Sequence, residues 1–133
     1  DISLIESLLV CMKKYALDYT NTFRDLASES SIKKPVLELQ EYREWHGRWN
    51  RRLLSQDKKL DRAINLMRKT NPVVIPRNYQ VEAALSAAEE GDFSVLESLL
   101  KILSDPFNDN LNSDNYREPP AQSSVPYKTY CGT

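Results

Sequence analysis

Apolar residues recur every three or four positions along most of the chain, the spacing that places them on one face of an α-helix. The first such segment runs from Ile2 to about Leu17, with Asp1 at the position of an N-cap. Its predicted apolar stripe comprises Ile2, Ile5, Leu8, Leu9, Met12, Tyr15 and Ala16. Asp18 can cap a second, shorter helix. The inner face of that helix would carry Thr20, Phe23 and Leu26.

A long third helix is predicted to begin at Pro35, because proline in the first turn of a helix loses no hydrogen bond. The helix is predicted to extend to about Leu54. Its apolar stripe comprises Leu39, Tyr42, Trp45, Trp49, Leu53 and Leu54. Gly47 inside it costs about 1 kcal/mol relative to alanine, so we expect a close helix crossing there. From Asp57 to about Lys69 the pattern repeats with Leu60, Ala63, Ile64 and Met67.

A rigid connector follows at 71–77, because Pro72 and Pro76 fix their own φ angles and favour extended neighbours. Asn78 can cap the next helix, and Gly91 can end it in the left-handed conformation. The inward residues of this helix would be Val81, Ala84, Leu85 and Ala88. Asp92 would cap a further helix that buries Phe93, Leu96, Leu99, Leu100 and Leu103. Two helices joined by Gly-Asp form an antiparallel αα-hairpin.

The helical spacing stops after Asp105, where prolines and short polar residues dominate. We therefore predict an all-α fold: a compact helical domain of about six helices at 1–105 and an extended, mostly irregular tail at 106–133. Four aromatic residues could anchor this tail on a surface: Phe107, Tyr116, Tyr127 and Tyr130. With only three glycines in the chain, glycine-rich nucleotide loops and tight β-hairpins are disfavoured.

A length of 133 residues with 41% hydrophobic content fits one globular domain. No apolar run approaches the roughly 18 residues of a transmembrane helix, and no targeting signal is visible. Because the chain begins at Asp1 and not at Met, we expect a piece of something longer. The net charge is −1, yet residues 43–69 carry nine Lys and Arg against three acids, and residues 82–118 carry nine acids against two basic residues. We interpret these stretches as oppositely charged helical layers; a nucleic-acid face on the basic stretch is the disfavoured alternative.

No motif of a known catalytic class occurs, so we assign no catalytic, cofactor-binding or metal-binding residue within this chain. The single histidine, His46, is expected to be a packing or surface residue. The carboxylate pairs Glu41–Glu44 and Glu89–Glu90 are expected to be solvated surface charge.

The two cysteines and one arginine are the remaining candidates for chemistry. Cys11 lies in the first apolar stripe, where a free cysteine behaves as a small hydrophobe. Cys131, the third residue from the end, is an accessible thiol; it is our redox candidate, with an inert terminal thiol as the alternative. Arg77 beside Asn78 is either an anion site at a helix start or a structural anchor on the C-terminal carbonyls of a neighbouring helix, and we favour the anchor.

Several ordered motifs resemble the C-terminal region of the selenoprotein O (YdiU-like) family. They are Asp18-Tyr19-Thr20-Asn21-Thr22-Phe23-Arg24-Asp25-Leu26, Asn71-Pro72, Ile75-Pro76-Arg77-Asn78, Val81-Glu82-Ala83-Ala84-Leu85, Ala87-Ala88, Gly91-Asp92, Leu99-Leu100, Asp105-Pro106-Phe107, Pro119-Pro120 and Tyr130-Cys131-Gly132-Thr133. Together they span nearly the whole chain. The resemblance implies a protein adenylyltransferase with a kinase-like fold, which binds ATP with Mg²⁺ or Mn²⁺ and transfers AMP to Ser, Thr or Tyr hydroxyls.

In that family the nucleotide, metal and catalytic residues lie upstream, so the resemblance implies a non-catalytic region here, without a cofactor of its own. Its implied partners are the absent kinase-like domain and the protein substrates of the whole enzyme, with no membrane; the isolated piece would self-associate through faces left uncovered. The family's position corresponding to Cys131 holds selenocysteine or cysteine, which implies a redox role with a partner sulfur upstream. The implied compartment is the cytoplasm in a bacterium and the mitochondrion in a eukaryote. A stand-alone helical interaction module is the alternative.

Overall fold

The computed structural model describes residues 1–27, 32, 34–56, 60–109 and 114–120. These residues form eight helices and no strand, which confirms the all-α prediction. Six helices have seven residues or more. Two are shorter: Lys34–Glu38, which is split off from the predicted third helix, and Asp114–Arg117, which lies in the segment predicted as the tail. The helices are α1 (Ile2–Lys14), α2 (Tyr19–Asp25), α3 (Lys34–Glu38), α4 (Gln40–Leu54), α5 (Leu60–Thr70), α6 (Asn78–Glu89), α7 (Ser94–Leu103) and α8 (Asp114–Arg117).

The apolar core lies where α1 packs on α4, with α2 and α3 closing its sides. Tyr42, only 1% exposed, and Trp45 supply its aromatic centre from α4. The Trp45 indole N–H donates to the Leu4 carbonyl at 2.7 Å, so the buried ring leaves no unsatisfied donor. The buried members of the cluster are Leu8, Cys11, Met12, Leu26, Ile32, Tyr42 and Trp45.

The long helix predicted from Pro35 is broken at Leu39, and this prediction was wrong. Leu39 has extended backbone (φ −70°, ψ 116°) and separates α3 from α4. At 100° per residue, Val36 and Leu37 would lie off the stripe formed by Tyr42 and Trp45 in one straight helix. The break turns α3 so that Val36 and Leu37 pack against the same cluster.

The stripe of α1 is narrower than predicted. Ile2 is 74% exposed, and Ile5 and Leu9 are also exposed. These three residues follow an i, i+3, i+7 spacing, so they share one flank of α1 beside the buried face of Leu8 and Met12. The sequence shows that a residue is apolar but not how far its neighbours extend, so the width of the covered stripe could not be predicted.

Helices α1 and α6 end in the same way, with one residue in the left-handed region. Gly91 (φ 91°) ends α6 as predicted, and the Asp92 N–H donates to the Ala87 carbonyl at 2.9 Å. At the end of α1 the left-handed residue is Ala16 (φ 50°). The Leu17 N–H then donates to the Met12 carbonyl at 2.9 Å. Both are Schellman caps, but alanine adopts this conformation at a steric cost that glycine avoids.

The predicted αα-hairpin forms from α6 and α7, which pack closely on each other. Ala84 and Leu99 are buried. Several details of the prediction were wrong. Leu85, predicted to face inward, is 53% exposed. Arg77 and not Asn78 occupies the N-cap of α6, so Asn78 is its first helical residue. Phe93 and Leu100, predicted to be buried, are each 57% exposed because α6 covers only part of α7.

Among the described residues no helix is both long and apolar enough to cross a membrane.

Candidate functional site: an arginine clamp and a C-terminal strap

The most deeply buried cation of the described chain is Arg24 on α2, which is 5% exposed. Its Nη1 donates to the carbonyls of Arg68 and Asn71 at 2.7 and 2.9 Å, in the last turn of α5 and just beyond it. Its Nη2 donates to the Phe107 carbonyl at 3.1 Å and to the Asp109 carboxylate. The carbonyls that end a helix have no partner within the helix, so Arg24 satisfies groups that burial would otherwise leave unpaired.

Arg77, the N-cap residue of α6, is also buried and faces α2. Its two terminal nitrogens each donate to one carboxylate oxygen of Asp18 at 2.9 Å, a bidentate pair. Asp18 in turn caps α2, since Oδ1 accepts from the Asn21 N–H at 2.9 Å. Burial raises the pKa of Asp18, but the hydrogen bonds from Arg77 and Asn21 and the charge of Arg117 outweigh it, so the pKa lies below its ordinary value.

A third arginine, Arg117, joins the C-terminal segment to α2. Its guanidinium donates to the buried Asp25 at 2.6 Å. Its carbonyl, at the end of α8, accepts from Arg77 at 2.8 Å and from the Asn21 side chain at 2.9 Å. We call Arg24, Arg77 and Arg117 with Asp18, Asp25 and Asp109 the arginine clamp.

Residues 114–120, which we call the strap, lie between α2 and α6. On the α6 side the Tyr79 hydroxyl donates to the Glu118 carbonyl at 2.8 Å, and the Gln80 side chain donates to the Asn115 carbonyl at 3.3 Å. The strap is therefore held largely through its own backbone carbonyls. Aromatic anchoring, the sequence prediction, plays a smaller part: Phe107 is exposed and Tyr116 half-buried. Tyr127 and Tyr130 lie outside the described residues.

The connector closes the same region. The backbone N–H groups of Val73 and Val74 donate to the Pro106 carbonyl at 2.7 and 3.4 Å, which fixes the end of α7 against the start of the hairpin. Asn71 donates through its side chain to the Phe23 carbonyl at 3.1 Å. The hairpin thus meets α2 and the strap through polar contacts, and neither of its helices has extensive contact with a third helix of the described chain.

The candidates named from the sequence are scattered in the fold. Arg77 lies in the clamp, where an internal carboxylate and the carbonyl that ends α8 take up its terminal nitrogens. Its neighbour Asn78 is exposed and does not cap α6. Cys131 lies outside the described residues.

Cys11 and His46 both lie in the apolar half of the molecule. Burial, followed by the nearby charge of Glu41, raises the pKa of the Cys11 thiol. The thiol is therefore protonated at neutral pH. His46 stacks on Tyr42 with ring centroids 6.0 Å apart and lies 5.3 Å from the ring of Trp49. Its environment is that of a packing residue.

The carboxylate pairs show no catalytic arrangement. Glu41 pairs with Lys14 on α1, and Glu44 accepts from Gln40 at 2.8 Å. Glu89 and Glu90 are exposed at the end of α6.

The two charged stretches were interpreted as helical layers that attract each other within or between domains. Attraction within the chain is not found among the described residues, and attraction between domains stays a prediction. No ion pair of the described chain joins residues 43–69 to residues 82–118. The pairs instead join α2 and its cap to the connector, to Asp109 beyond α7 and to the strap, and join α1 and its cap to α4. The aromatic rings of the basic stretch, Trp45 and Trp49, pack against the core and each other at 6.1 Å, so they present no platform for bases.

The described surface includes a wide groove and a smaller cavity. The wide groove of about 810 Å³ runs between α1 and α4 and is lined by Val10, Arg43 and Arg51 among others. The smaller cavity of about 170 Å³ lies beside the strap, between Tyr42 and Pro119. Both of its carboxylates, Asp18 and Asp25, are already paired with arginines. The described residues contain no group of three His, Cys, Asp or Glu residues that could hold a metal ion.

Sequence reasoning missed Arg24, Asp25 and Arg117 as site residues. The predicted inner face of α2 carried Thr20 and Phe23 but left out the two charged residues that are buried. Hydrophobic spacing has no means of marking a buried ion pair, and the partners of Arg24 lie 44 to 85 positions away in the sequence.

Comparison with known proteins decides the family. The sequence model of the family described as "Protein adenylyltransferase SelO" matches residues 1–104. The chain belongs to this family. A protein named "Protein nucleotidyltransferase YdiU" from Syntrophotalea carbinolica is 47% identical over 134 aligned positions, which cover all of this chain and 27% of the relative. Proteins of the same name from Bacillus mycoides and Halalkalibacterium halodurans are each 46% identical over the whole chain, which corresponds to 28% and 27% of their lengths.

The resemblance read from the motifs is therefore confirmed at the level of the SelO family, whose relatives are protein nucleotidyltransferases. The chain spans less than a third of the length of the curated relatives it matches, and it corresponds to a C-terminal part of them.

Proposed function

We propose that this chain is the C-terminal, non-catalytic helical region of a protein adenylyltransferase, an enzyme that transfers AMP from ATP to Ser, Thr or Tyr hydroxyls of proteins. The observation that carries the proposal is the match itself. Relatives named as protein nucleotidyltransferases align along the whole of this chain, yet they are more than three times as long. The catalytic residues then belong to the upstream part of the full-length protein, and this region supports that part.

The arginine clamp supports a structural role for this region. Nucleotidyl transfer depends on cations and metal ions that neutralise phosphate charge. Here the guanidinium groups of Arg24, Arg77 and Arg117 are engaged by carboxylates and carbonyls of the same chain. Because those acceptors hold them in place, they serve to join α2, α6 and the strap and are not directed at a phosphate.

ATP and Mg²⁺ or Mn²⁺ belong, in this proposal, to the kinase-like upstream part, and the protein substrates bind the whole enzyme. Since the relatives are bacterial proteins, we place the enzyme in the cytoplasm.

Cys131 is proposed as a redox-regulatory residue with a partner cysteine in the upstream part. The two thiols would lose two protons and two electrons to a disulfide oxidant such as oxidised glutathione and form one disulfide. The strap ends at Pro120, and Cys131 lies eleven positions further along the chain. That length limits the reach of the thiol to about 40 Å from Pro120.

The test is incorporation of AMP from ATP labelled on its α-phosphate, measured with Mg²⁺ for the full-length protein and for residues 1–133 alone. We expect label on protein with the full-length enzyme and none with this chain. Labelling of a substrate by residues 1–133 alone would contradict the proposal. Failure of the full-length protein to transfer AMP would contradict it equally, and would favour a stand-alone interaction module.

The redox role is tested in the same assay with and without a thiol reductant. We expect the reductant to change the activity of the wild-type full-length enzyme and to leave the Cys131→Ser variant unchanged. An equal response of both proteins would show that Cys131 is not the residue that senses the reductant.

A further inference from the structure

Helix α7 is apolar around about half of its circumference, yet α6 covers only the middle of that arc. At 100° per residue, Leu99 and the half-buried Leu96 and Leu103 face α6, while Phe93 and Leu100 lie together on one flank. Phe93 and Leu100 are seven residues apart, which is the spacing of residues on one face. Each remains 57% exposed. We call Phe93 and Leu100 the outer stripe of α7.

A helix that is apolar over so wide an arc is normally buried on more than one side. The rest of the described chain does not cover the outer stripe, because α7 has extensive contact with α6 alone. The hairpin is nonetheless held in a fixed place by Arg77, by the Pro106 carbonyl and by the strap. The outer stripe is thus an exposed apolar surface whose position in the fold is fixed. Exposed apolar surfaces commonly mark binding sites.

The charge around the stripe indicates what covers it. Residues 78–103 carry five acids, Glu82, Glu89, Glu90, Asp92 and Glu97, against one Lys. None of the five takes part in an ion pair among the described residues. A segment that covers the stripe is favoured if it brings apolar side chains flanked by Lys or Arg.

We propose that the outer stripe of α7 docks a basic-flanked apolar segment of the upstream part of the full-length protein. The relatives are more than three times as long as this chain, so most of the polypeptide available to cover it in place belongs to that part. The inference rests on the proposed function, in which this region supports the upstream part, and adds the surface through which it does so.

The experiment is hydroxyl-radical footprinting of the purified full-length protein, read by mass spectrometry as the oxidation rate of single side chains. Leu66 on α5, 65% exposed, is an internal control with the same chemistry as Leu100. After correction for intrinsic reactivity, we expect Phe93 and Leu100 to be oxidised several-fold more slowly than Leu66. Rates equal to that of Leu66 would overturn the proposal.

A second copy of the protein is the other occupant that could cover an apolar stripe. Its protection would fade as the protein is diluted, whereas protection by the same polypeptide is independent of concentration. Loss of protection on dilution would therefore overturn the proposal.

Matched variants of the full-length protein give an independent readout. Leu100→Gln should lower the midpoint of thermal unfolding, while Leu66→Gln should leave it nearly unchanged, because only Leu100 is covered. Equal midpoints would overturn the docking.

AMP transfer by the wild-type protein separates the two claims. Activity with a fully exposed stripe refutes the docking and leaves the proposed function intact. A protected stripe in a protein that transfers no AMP refutes the proposed function and leaves the docking intact.

Discussion

The two halves of the molecule are held together by different forces. Around α1 and α4, aliphatic and aromatic side chains such as Leu8, Tyr42 and Trp45 form a buried apolar cluster. Where the α6–α7 hairpin meets α2 and the strap, carbonyls, carboxylates and the guanidinium groups of the arginine clamp make directed contacts, beside the buried apolar side chains of Val73 and Val74 in the connector. Apolar contacts tolerate small shifts because they are not directional, whereas each hydrogen bond of the clamp requires its donor and acceptor to be aligned. The polar half should therefore be the more sensitive to the loss of a single atom group.

The largest effect is expected from Arg24→Ala. The substitution removes a side chain that is only 5% exposed, together with its hydrogen bonds to the carbonyls of Arg68 and Asn71, so we expect a loss of about 3 kcal/mol in the free energy of unfolding. Urea denaturation measures it. The matched control is Arg52→Ala, since the exposed pair of Arg52 with Asp1 should contribute less than about 1 kcal/mol. Equal losses in the two variants would refute the distinction between clamp and surface pairs.

In the apolar half, the corresponding probe is Tyr42. Burial, aided by the charges of Asp25 and Cys11, raises its pKa from 10.0 to about 12. Because the hydroxyl loses its proton more easily in the unfolded chain, its contribution to the free energy of unfolding is fully present below pH 10. That contribution falls by about 3 kcal/mol as the pH rises from 10 through 12. Denaturant titrations at several pH values should show a flatter dependence in Tyr42→Phe. A dependence as steep as that of the wild type would contradict burial of this hydroxyl.

Asp18 is the carboxylate of the clamp that can be tested by acid. The pKa of Asp18 is lower in the folded protein than in the unfolded chain, where it is near 4. Its contribution to the free energy of unfolding is therefore fully present above pH 4 and is lost as the pH falls through the pKa of the folded state. Asp18→Asn should cost about 2 kcal/mol at neutral pH, because the charge-assisted bonds to Arg77 are lost. The variant should also lose less stability on acidification than the wild type does. If both proteins follow the same acid profile, Asp18 is not the group that titrates.

The smallest effects concern the two Schellman caps, one in each half. Gly91→Ala should cost about 1 kcal/mol, because alanine is disfavoured at φ 91°. Ala16→Gly should have the opposite sign, a gain of at most about 1 kcal/mol, since the relief at φ 50° is offset by the greater freedom of glycine in the unfolded chain. Thermal unfolding of both variants checks the signs. Equal signs would contradict the common cap geometry.

The apolar half was largely predictable from the sequence, because helical spacing reports which residues share a face. The prediction from helical spacing failed at Leu39, where an extended residue within an apolar run redirects the chain. It also failed at Ala16, because alanine does not indicate a left-handed turn. In the polar half, the sequence indicated the connector, the hairpin and Arg77. The role of Arg24 could not be predicted, because its acceptors are backbone carbonyls that tertiary folding alone brings together.

The central claim is that the arginine clamp and the strap are required to hold the α6–α7 hairpin to the rest of the protein. Hydrogen exchange of Arg77→Ala against the wild type tests this most directly, because the variant loses the contacts to both Asp18 and Arg117. We predict that amides of α6 and α7 exchange several-fold faster in the variant while those of α1 and α4 keep their rates. An unchanged hairpin, or an equal acceleration in α1 and α4, would contradict the account.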